Sequence, residues 1–446
     1  MPSDRAHANA PRDARTCALA SALLLSLCGA CEPRGPVLHP QFPGGGDLAN
    51  VPLLGVDVLS KLEGMYGVAR GADRFGGTVA VHASRDALSI FSNWHDNYAI
   101  LRAGCLAGGT ILELEGYWRY ASESDTGLIR LTVAPPALAL ALCTGAPVPS
   151  TAGPAQLVGG TGEGNGPLHE GSIFRFGKPL LSTAGRFWVA AHHGACATID
   201  DCGDTYGHAV SENSLPSLSL VEAFGASDVE VDVRLTADGV PILFHDDNFG
   251  PRLANGVYCH GAVKDFTLAD ARARCKLKYG EDIPTLDEAL ATAVKDTTLS
   301  GIWLDLKVAG AVQPALASAT QYRALATQLG RKIEIILGLG ERDVLDAYRA
   351  LGAPPGTPCL VELDPSDVRG AGCQFWGPRW TRGPQVDDVR AFQLEGRAVM
   401  FWTIDESNYV DRFLKEARPN GILSDRPGMV FHRFQTLGVF PRDRLP

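Results

Sequence analysis

The chain has 446 residues, of which 45% are hydrophobic and 20% are charged, and its formal net charge is −10. This length accommodates two or three domains with packed cores. The acidic balance, without a run of Lys or Arg, argues against a nucleic-acid partner, and a small anionic substrate would need a local cation such as a metal ion.

The N-terminal segment has the pattern of an export signal. Arg5, Arg12 and Arg15 precede a short apolar run, Cys17 to Leu27, which small residues follow. A basic start, a short apolar core and small residues are typical of a secretory signal, and the run is too short for a comfortable membrane span. Gly29-Ala30-Cys31 resembles a bacterial lipoprotein cleavage box, with Cys31 as the lipidated residue. We expect export with a lipid anchor in a membrane, and ordinary secretion is the alternative.

Eight cysteines follow Cys31. An even number in an exported chain favours disulfides. The simplest arrangement joins neighbours in the sequence: Cys105 with Cys143, Cys196 with Cys202, Cys259 with Cys275, and Cys359 with Cys373. None of these eight cysteines has the spacing of a zinc site, so a thiolate metal centre is not expected.

Changes in composition divide the chain into four parts. Residues 1–31 are the signal segment, and residues 32–47 are rich in Pro and Gly and predict a flexible linker. Residues 48–180 contain short alternating runs separated by turns, which predict a small all-β domain, a sandwich or a barrel. Pro135 to Gly166 is predicted as a long loop within it. The strands predicted here are 78–82, 87–91, 98–103, 110–118 and 127–133.

Residues 181–446 alternate between strand-like and helix-like segments. Predicted strands are 187–191, 228–233, 302–306, 333–337, 360–363, 399–402 and 421–423, and predicted helices are 217–226, 285–294, 315–329, 342–351 and 409–417. Repeated βα units of this extent favour a (β/α)₈ TIM barrel over an open sheet. The polar residues of interest fall at the C-terminal ends of the strands, which form the catalytic face of such a barrel.

The stretch from Ser227 to Asp247 carries the strongest chemical signal. Glu230 and Asp232 alternate with valines on a predicted strand, so their carboxylates share one face and suit a hard cation such as Ca²⁺ or Mg²⁺. A tight turn and a returning strand bring His245 back beside them. Acidic ligands with a histidine at hand predict metal-assisted acid/base chemistry.

Three further clusters lie at strand ends: His192-His193, Asp305-Leu306-Lys307 and Trp402-Thr403. For phosphodiester cleavage, a divalent metal on Glu230, Asp232 and Asp305 would neutralise the phosphate charge, and Lys307 could contact a phosphate oxygen. His192 and His245 arrive from different strands, so one could accept a proton and the other donate one.

In the segment from Trp188 to Pro427, the order and spacing of motifs resemble the glycerophosphodiester phosphodiesterase family. The motifs are His192-His193-Gly194, Glu212-Asn213-Ser214, Glu230-Val231-Asp232, Thr236-Ala237-Asp238-Gly239, His245-Asp246-Asp247, Ile283-Pro284-Thr285-Leu286, Asp305-Leu306-Lys307, Trp402-Thr403 and Ser424-Asp425. The resemblance implies a TIM barrel, metal at Glu230 and Asp232, acid/base histidines at His192 and His245, and an insert at 248–281.

Two residues depart from the family pattern. His193 stands where the family usually has Arg, and Asp305 stands where it usually has Glu. The Asp-Leu-Lys form also resembles sphingomyelinase-D-type phospholipases. His193 and Trp402 are candidates for substrate contact, with a structural role as the alternative for each.

The expected function is metal-dependent hydrolysis of glycerophosphodiesters to glycerol phosphate and an alcohol. The alternatives are phospholipase-D-like activity on lysolipid or sphingomyelin, for which the insert would form a wide apolar mouth, and a catalytically silent barrel that binds a surface. The attacking group, water or the glycerol hydroxyl, and the oligomeric state are left open.

Overall fold

The computed structural model describes residues 39–121, 123, 125–182, 187–194, 210–352, 354 and 356–441. Cys31, Cys196 and Cys202 lie outside the described residues, and so does the proposed signal segment. All of the described residues belong to one compact unit.

Residues 64–178 form a closed antiparallel barrel of eight strands, here called the N-terminal barrel. Each strand pairs with the next, and the first strand pairs with the eighth, so the sheet has no free edge. The strands are β1 (Gly64–Arg70), β2 (Thr78–Ser84), β3 (Ala87–Ser92), β4 (Asn97–Leu106), β5 (Ile111–Tyr120), β6 (Thr126–Ala134), β7 (Gln156–Thr161) and β8 (His169–Lys178). The helices in this part are α1 (Val56–Leu59), α2 (Ala72–Phe75) and α3 (Pro136–Thr144).

The long loop predicted for residues 135–166 is wrong, because α3 and β7 lie within it. Pro136 occupies the first turn of α3, where a missing N–H costs nothing, and the Ala/Leu run that follows has high helix propensity. The Cys105–Cys143 disulfide joins α3 to β4. The Gly-, Pro- and Ala-rich composition of this stretch therefore did not indicate α3, which the barrel and the disulfide hold in place.

Part of the predicted linker packs against the N-terminal barrel. The ring of His39 stacks on that of Tyr117 with centroids 4.0 Å apart. The backbone N–H of Asp47 donates to Glu115 Oε1 at 3.0 Å. Residues 39–47 thus lie against the barrel surface.

Residues 188–424 contain the second barrel, here called the C-terminal barrel. Its eight parallel strands are paired in the order β9-β10-β16-β17-β18-β19-β20-β21, and β21 pairs with β9 to close it. Strands in this part are β9 (Trp188–Ala191), β10 (Asp228–Leu235), β11 (Pro241–Leu243), β12 (Asn248–Phe249), β13 (Ala254–Asn255), β14 (Gly261–Ala262), β15 (Lys276–Leu277), β16 (Gly301–Leu306), β17 (Glu334–Leu339), β18 (Cys359–Val361), β19 (Phe375–Trp376), β20 (Ala398–Phe401) and β21 (Gly421–Ser424).

Helices follow most of these parallel strands, as the alternating pattern predicts. They are α4 (Leu215–Leu220), α5 (Leu268–Arg274), α6 (Leu286–Lys295), α7 (Val312–Gln328), α8 (Arg342–Ala350), α9 (Pro365–Ala371), α10 (Val386–Leu394), α11 (Ser407–Glu416) and α12 (Pro427–Leu437). Helix α6 shows how the sequence sets such boundaries, because Thr285 and Glu288 form a reciprocal capping box at its start. Its apolar residues, including Leu286 and Leu290, face the core.

The insert between β11 and α6 has its own small apolar core and the Cys259–Cys275 disulfide. A third disulfide, Cys359–Cys373, joins β18 to the turn before β19. Three of the four predicted disulfides are thus confirmed, and the fourth lies outside the described residues. Among the described residues, no helix has the length and apolar character needed to cross a bilayer.

His432 gives a testable property of the contact between the barrels. The residue is 1% exposed on α12, and its Nε2 lies 3.1 Å from the carbonyl oxygen of Thr78 at the start of β2. Burial lowers the pKa of His432 to about 4. The ring is therefore neutral in the folded protein and acts as a donor to that carbonyl.

We predict that His432→Gln reduces the loss of stability at acidic pH. Below about pH 6.5 the histidine binds a proton in the unfolded chain but not in the folded one. His432 therefore lowers the free energy of unfolding by about 1.4 kcal/mol for each unit by which the pH falls from 6.5 to 4. Urea titrations of both proteins at pH 7.5, 6 and 5 check this. Parallel pH profiles would contradict it.

Candidate active site

Three carboxylates meet at the C-terminal ends of β10 and β16. Glu230 and Asp232 lie two residues apart on β10, so both side chains project from one face. Asp232 is paired in register with Asp305 on β16, which brings these two side chains next to each other. One ligand oxygen from each of the three residues lies within 4.8 Å of the others. We call Glu230, Asp232 and Asp305 the carboxylate cluster.

Asn213 fixes the orientation of Asp232. Its Nδ2 donates to Asp232 Oδ2 at 2.7 Å, and the backbone N–H of Asp232 donates to Asn213 Oδ1 at 2.9 Å. Asn213 has a φ of 55°, a left-handed conformation that Asn tolerates better than most residues. Its backbone N–H donates to the carbonyl of His193 at 2.9 Å. The loop before α4 therefore holds the middle carboxylate in one position.

His193 lies behind the cluster, where it is 4% exposed. Its backbone N–H donates to Glu230 Oε2 at 3.1 Å, and its Nε2 lies 3.2 Å from Asp232 Oδ2. Burial lowers the pKa of His193 to about 3, so the ring is neutral and Nε2–H is a donor to Asp232. The next residue is Gly194, where a Cβ would collide with the side chain of Ser217. His193 thus braces two of the three carboxylates.

Burial and mutual repulsion dominate the electrostatics of the cluster. Burial, and then the charge of Asp232, raise the pKa of Glu230 well above its usual value. Burial also acts to raise the pKa of Asp232, but His193 and Lys307 overcome this and hold it below its usual value. Lys307 Nζ lies 2.8 Å from Asp232 Oδ1 and also bonds Asp305. The site therefore concentrates negative charge that Lys307 only partly offsets.

His192 forms an ion pair with Asp425, the residue that follows β21. Nδ1 of His192 lies 2.7 Å from Asp425 Oδ1. Burial acts to lower the pKa of His192, but Asp425 and the neighbouring carboxylates raise it to about 10. The ring is therefore protonated at neutral pH, and the Asp425 contact leaves Nε2 as its other donor.

His245 reaches the site from β11, which runs antiparallel to β10. Its Nδ1 lies 2.9 Å from Asp246 Oδ1, and its side chain is 38% exposed. Arg252 from the insert forms two hydrogen bonds with the same carboxylate, one of them from Nε to Asp246 Oδ2 at 3.0 Å. Nη2 of Arg252, which can only donate, also lies 3.2 Å from Nδ1 of His245. When Nδ1 carries the proton that it donates to Asp246, Nε2 is left as an acceptor.

A pocket of about 370 Å³ opens above these groups. Arg379 stacks on the Trp402 ring, with its guanidinium carbon 4.6 Å from the ring centroid. Trp402 is held in turn by a hydrogen bond from its Nε1 to the carbonyl of Gly377 at 2.6 Å. The side chains that line the pocket are mostly charged or aromatic: His192, Glu230, His245, Trp303, Asp305, Lys307, Glu341, Glu362, Arg379 and Trp402.

The structure thus brings six of the eight predicted site residues to one pocket. They are His192, His245, Glu230, Asp305, Lys307 and Trp402. Asp232 is 0% exposed, and His193 is buried behind the carboxylate cluster. Neither of the two is among the residues that line the pocket.

Comparisons with known proteins show similarity to one family. Residues 196–309 match the Glycerophosphoryl diester phosphodiesterase family. This segment is similar to that family. The matched segment contains Glu230, Asp232, His245 and Asp305.

Individual relatives extend the match. The chain is 29% identical over 235 residues to "Probable glycerophosphodiester phosphodiesterase 2" of Mycobacterium tuberculosis, covering 49% of this chain and 83% of that protein. It is 40% identical over 85 residues to glycerophosphodiester phosphodiesterase of Caldanaerobacter subterraneus, covering 18% of this chain and 33% of that protein. A glycerophosphodiester phosphodiesterase structure from Parabacteroides distasonis aligns with a TM-score of 0.43 at 21% identity, covering 55% of this chain and 95% of that one.

Several residues of the site were not predicted as part of it. Asn213 and Asp425 belong to motifs of the resemblance, but only the folded chain reveals their partners, Asp232 and His192. Asp425 directly follows a parallel strand, a position that could have indicated it. Glu362, which belongs to the predicted strand 360–363, lines the pocket. Arg379 lies in a segment without a strand-like pattern, so its sequence context gave no signal.

The His192–Asp425 pair predicts how stability changes at alkaline pH. The folded-state pKa of about 10 lies above the ordinary value of 6.5, so this stabilisation is complete below pH 6.5 and is lost as the pH rises towards 10. In chelator, the difference in unfolding free energy between the native chain and His192→Gln should shrink from pH 6.5 to pH 9.5. Denaturant titrations measure it, and a constant difference would show that the pair does not stabilise the fold.

Proposed function

We propose that the chain hydrolyses glycerophosphodiesters to glycerol phosphate and an alcohol. The observation that carries the proposal is that Glu230 and Asp305 of the carboxylate cluster border one pocket with two histidines from different strands. Cleavage of a phosphodiester needs positive charge against the phosphate, an acid for the leaving oxygen and a base for the attacking group. The family match of residues 196–309 supports the same reaction.

The carboxylate cluster is suited to a divalent metal ion. Oxygen ligands from Glu230, Asp232 and Asp305 match the preference of Ca²⁺ and Mg²⁺. Glu230 Oε1 is buried and has no hydrogen-bond partner among the described residues, which is costly for a carboxylate unless a cation is nearby. A divalent ion bound there would supply positive charge to the phosphate.

His192 is the better candidate for the general acid. It is protonated at neutral pH, because the attraction of Asp425 outweighs the cost of burying the charge. Its Nδ1–H is engaged with Asp425, so Nε2–H can be donated to the leaving alcohol oxygen. After that transfer, Asp425 holds the neutral ring in the same orientation.

His245 is the better candidate for the general base. The contact of its Nδ1 with Asp246 leaves Nε2 able to accept a proton from the attacking group. That group is water, which gives glycerol phosphate directly, or the free hydroxyl of the glycerol, which gives a cyclic phosphate that water must then open. Burial acts to raise the pKa of Asp246, but its hydrogen bonds with Arg252 favour the charged carboxylate, and the pKa is lowered. Arg252 therefore keeps Asp246 ionised.

The substrate is bound by cations and by an aromatic wall. Lys307, placed between Asp232 and Asp305, can contact a phosphate oxygen as a point charge. Arg379 also lines the pocket, and its stacking on Trp402 restrains the guanidinium group. His193 acts by bracing Asp232 instead of touching substrate, because it is buried away from the pocket.

A deacylated headgroup fits this pocket better than a lipid. The described residues that line it are mainly charged or aromatic, and none comes from the insert at 248–281. The lysolipid and sphingomyelin alternatives required an apolar mouth built by that insert. The pocket chemistry therefore supports small, polar glycerophosphodiesters.

We also propose that the chain is exported and anchored to a membrane through Cys31. Three disulfides among the described residues support an oxidising compartment. A Cys31→Ser variant should move from the membrane fraction to the soluble fraction, while its disulfides and its fold remain unchanged.

Chelation tests the metal. We expect the full chain to release glycerol phosphate from glycerophosphocholine, to lose this activity in EDTA, and to regain it when Ca²⁺ or Mg²⁺ is restored in excess. The assay is enzymatic detection of glycerol phosphate. Turnover that is insensitive to chelator would remove the carboxylate cluster from the role of metal site.

Substitution tests the assigned residues. His192→Ala and Asp305→Ala should each lower kcat/KM by about 10³-fold or more, since one removes the general acid and the other a metal ligand. Asp296→Ala is the matched control, because this exposed carboxylate follows α6 at the opposite end of the barrel. Metal titration by calorimetry should show weaker binding for Asp305→Ala and not for Asp296→Ala. Full activity in both site variants would show that the site is misplaced.

A further inference from the structure

The N-terminal barrel is packed against the C-terminal barrel at α12 and at the turn Val221–Phe224. The ring of Phe91 fills the space beside Gly428, where a Cβ would collide with it. The centroid of this ring is 5.8 Å from that of Phe431. Ser89 Oγ donates to a carbonyl of the turn, that of Ala223, at 2.6 Å. The two barrels approach each other closely here, because Gly428 has no Cβ to collide with Phe91.

A buried ion pair joins the two barrels beside this packing. Arg426 Nη1 donates to Asp96 Oδ2 at 2.9 Å, and the two side chains are 11% and 12% exposed. Asp96 lies in the turn between β3 and β4, where His95 and Asp96 have φ values of 52° and 49°. Consecutive left-handed residues other than Gly are strained, and such strain persists only where the surroundings fix it. The strained turn delivers Asp96 to Arg426.

Arg426 directly follows Asp425, the partner of His192. On the other side of Asp425, Ser424 Oγ donates to Asp405 Oδ1 at 2.9 Å. The backbone N–H of Asp425 donates to the same Asp405 oxygen at 2.7 Å, and that of Arg426 donates to Ser424 Oγ at 2.9 Å. The segment 424–426 is thus fixed by Asp405 from the C-terminal barrel and by Asp96 from the N-terminal barrel.

We propose that Asp96 is a positioning residue for catalysis and that the N-terminal barrel is a structural part of the active site. Asp96 holds Arg426, and Arg426 sets the backbone from which Asp425 reaches Nδ1 of His192. This inference rests on the proposed function, in which His192 donates a proton to the leaving oxygen. It assigns a role to residues 64–178, which lie outside the segment matched to the family.

The geometry favours positioning over simple stabilisation. A buried ion pair gains little net stability, because desolvation of the two charges offsets their attraction, but it can fix one arrangement of the groups that it joins. Phe91 and Ser89 also hold the barrels together, through their contacts with Gly428 and Ala223. A small displacement of an orienting group is costly in rate, since proton transfer depends on the alignment of donor and acceptor.

Asp96→Asn isolates the ion pair. Asn keeps the size of the side chain and tolerates a positive φ, so the turn is preserved while the charge is lost. We expect kcat with glycerophosphocholine to fall about tenfold while KM stays within about twofold, because orientation of His192 affects the chemical step and not binding. Arg426→Lys keeps the positive charge with a single donor group, so its kcat should fall less than that of Asp96→Asn. Ser89→Ala is the matched interface control and should retain kcat.

A double-mutant cycle distinguishes positioning from loss of fold. In an Asp425→Asn background, where the orienting carboxylate is already removed, Asp96→Asn should lower kcat by less than about twofold. An equal loss in both backgrounds would overturn the proposal. So would an equal effect of Ser89→Ala, since that would show a general effect of loosening the interface.

A spectroscopic readout keeps the inference separate from the function. In the full chain labelled with ¹⁵N-histidine, the Nδ1 proton resonance of His192 is assigned by its loss in His192→Gln. It should shift in Asp96→Asn and stay unchanged in Ser89→Ala. If the native chain releases no glycerol phosphate, the proposed function fails, and this resonance still tests the positioning. An unchanged resonance in Asp96→Asn overturns the inference.

Discussion

Glu230 and Asp232 on β10 and Asp305 on β16 place three carboxylates in a largely buried space, where the charges of Asp232 and Asp305 oppose the ionisation of Glu230. Much of the surrounding structure reduces the cost of this arrangement. Lys307 contributes one positive charge between Asp232 and Asp305, while Asn213 and the neutral ring of His193 donate hydrogen bonds. The charge that remains favours a cation at this position.

The two other histidines of the site lie in different environments. His192 remains protonated although it is partly buried, because Asp425 and the cluster attract its proton. His245 lies further out and is oriented by Asp246, which Arg252 of the insert holds. Two histidines that differ in environment can therefore take opposite roles in proton transfer. Arg252 of the insert holds the orienting carboxylate of Asp246. Asp96 of the N-terminal barrel holds Arg426, the residue next to Asp425.

The sequence predicted the parallel barrel well, because each of its long strands is an apolar run followed by a helix with a clear apolar face, as in β10 and α6. It failed for β19, since two residues, Phe375 and Trp376, carry no periodicity. It also failed for α3, which an Ala- and Pro-rich stretch concealed. The three described disulfides were predictable because each joins cysteines that are neighbours in the sequence.

The sequence by itself determined which groups could do chemistry, since residue type and a period of two on one strand suffice to put Glu230 and Asp232 on one face. Tertiary structure alone decided which groups orient the others. Asp425 contacts His192 across 233 residues of chain, and Asp96 contacts Arg426 across 330. Such contacts arise from the closure of the barrel between β21 and β9 and from the packing of one barrel on the other. Local sequence patterns do not encode them, because the partners meet only after the whole fold has formed.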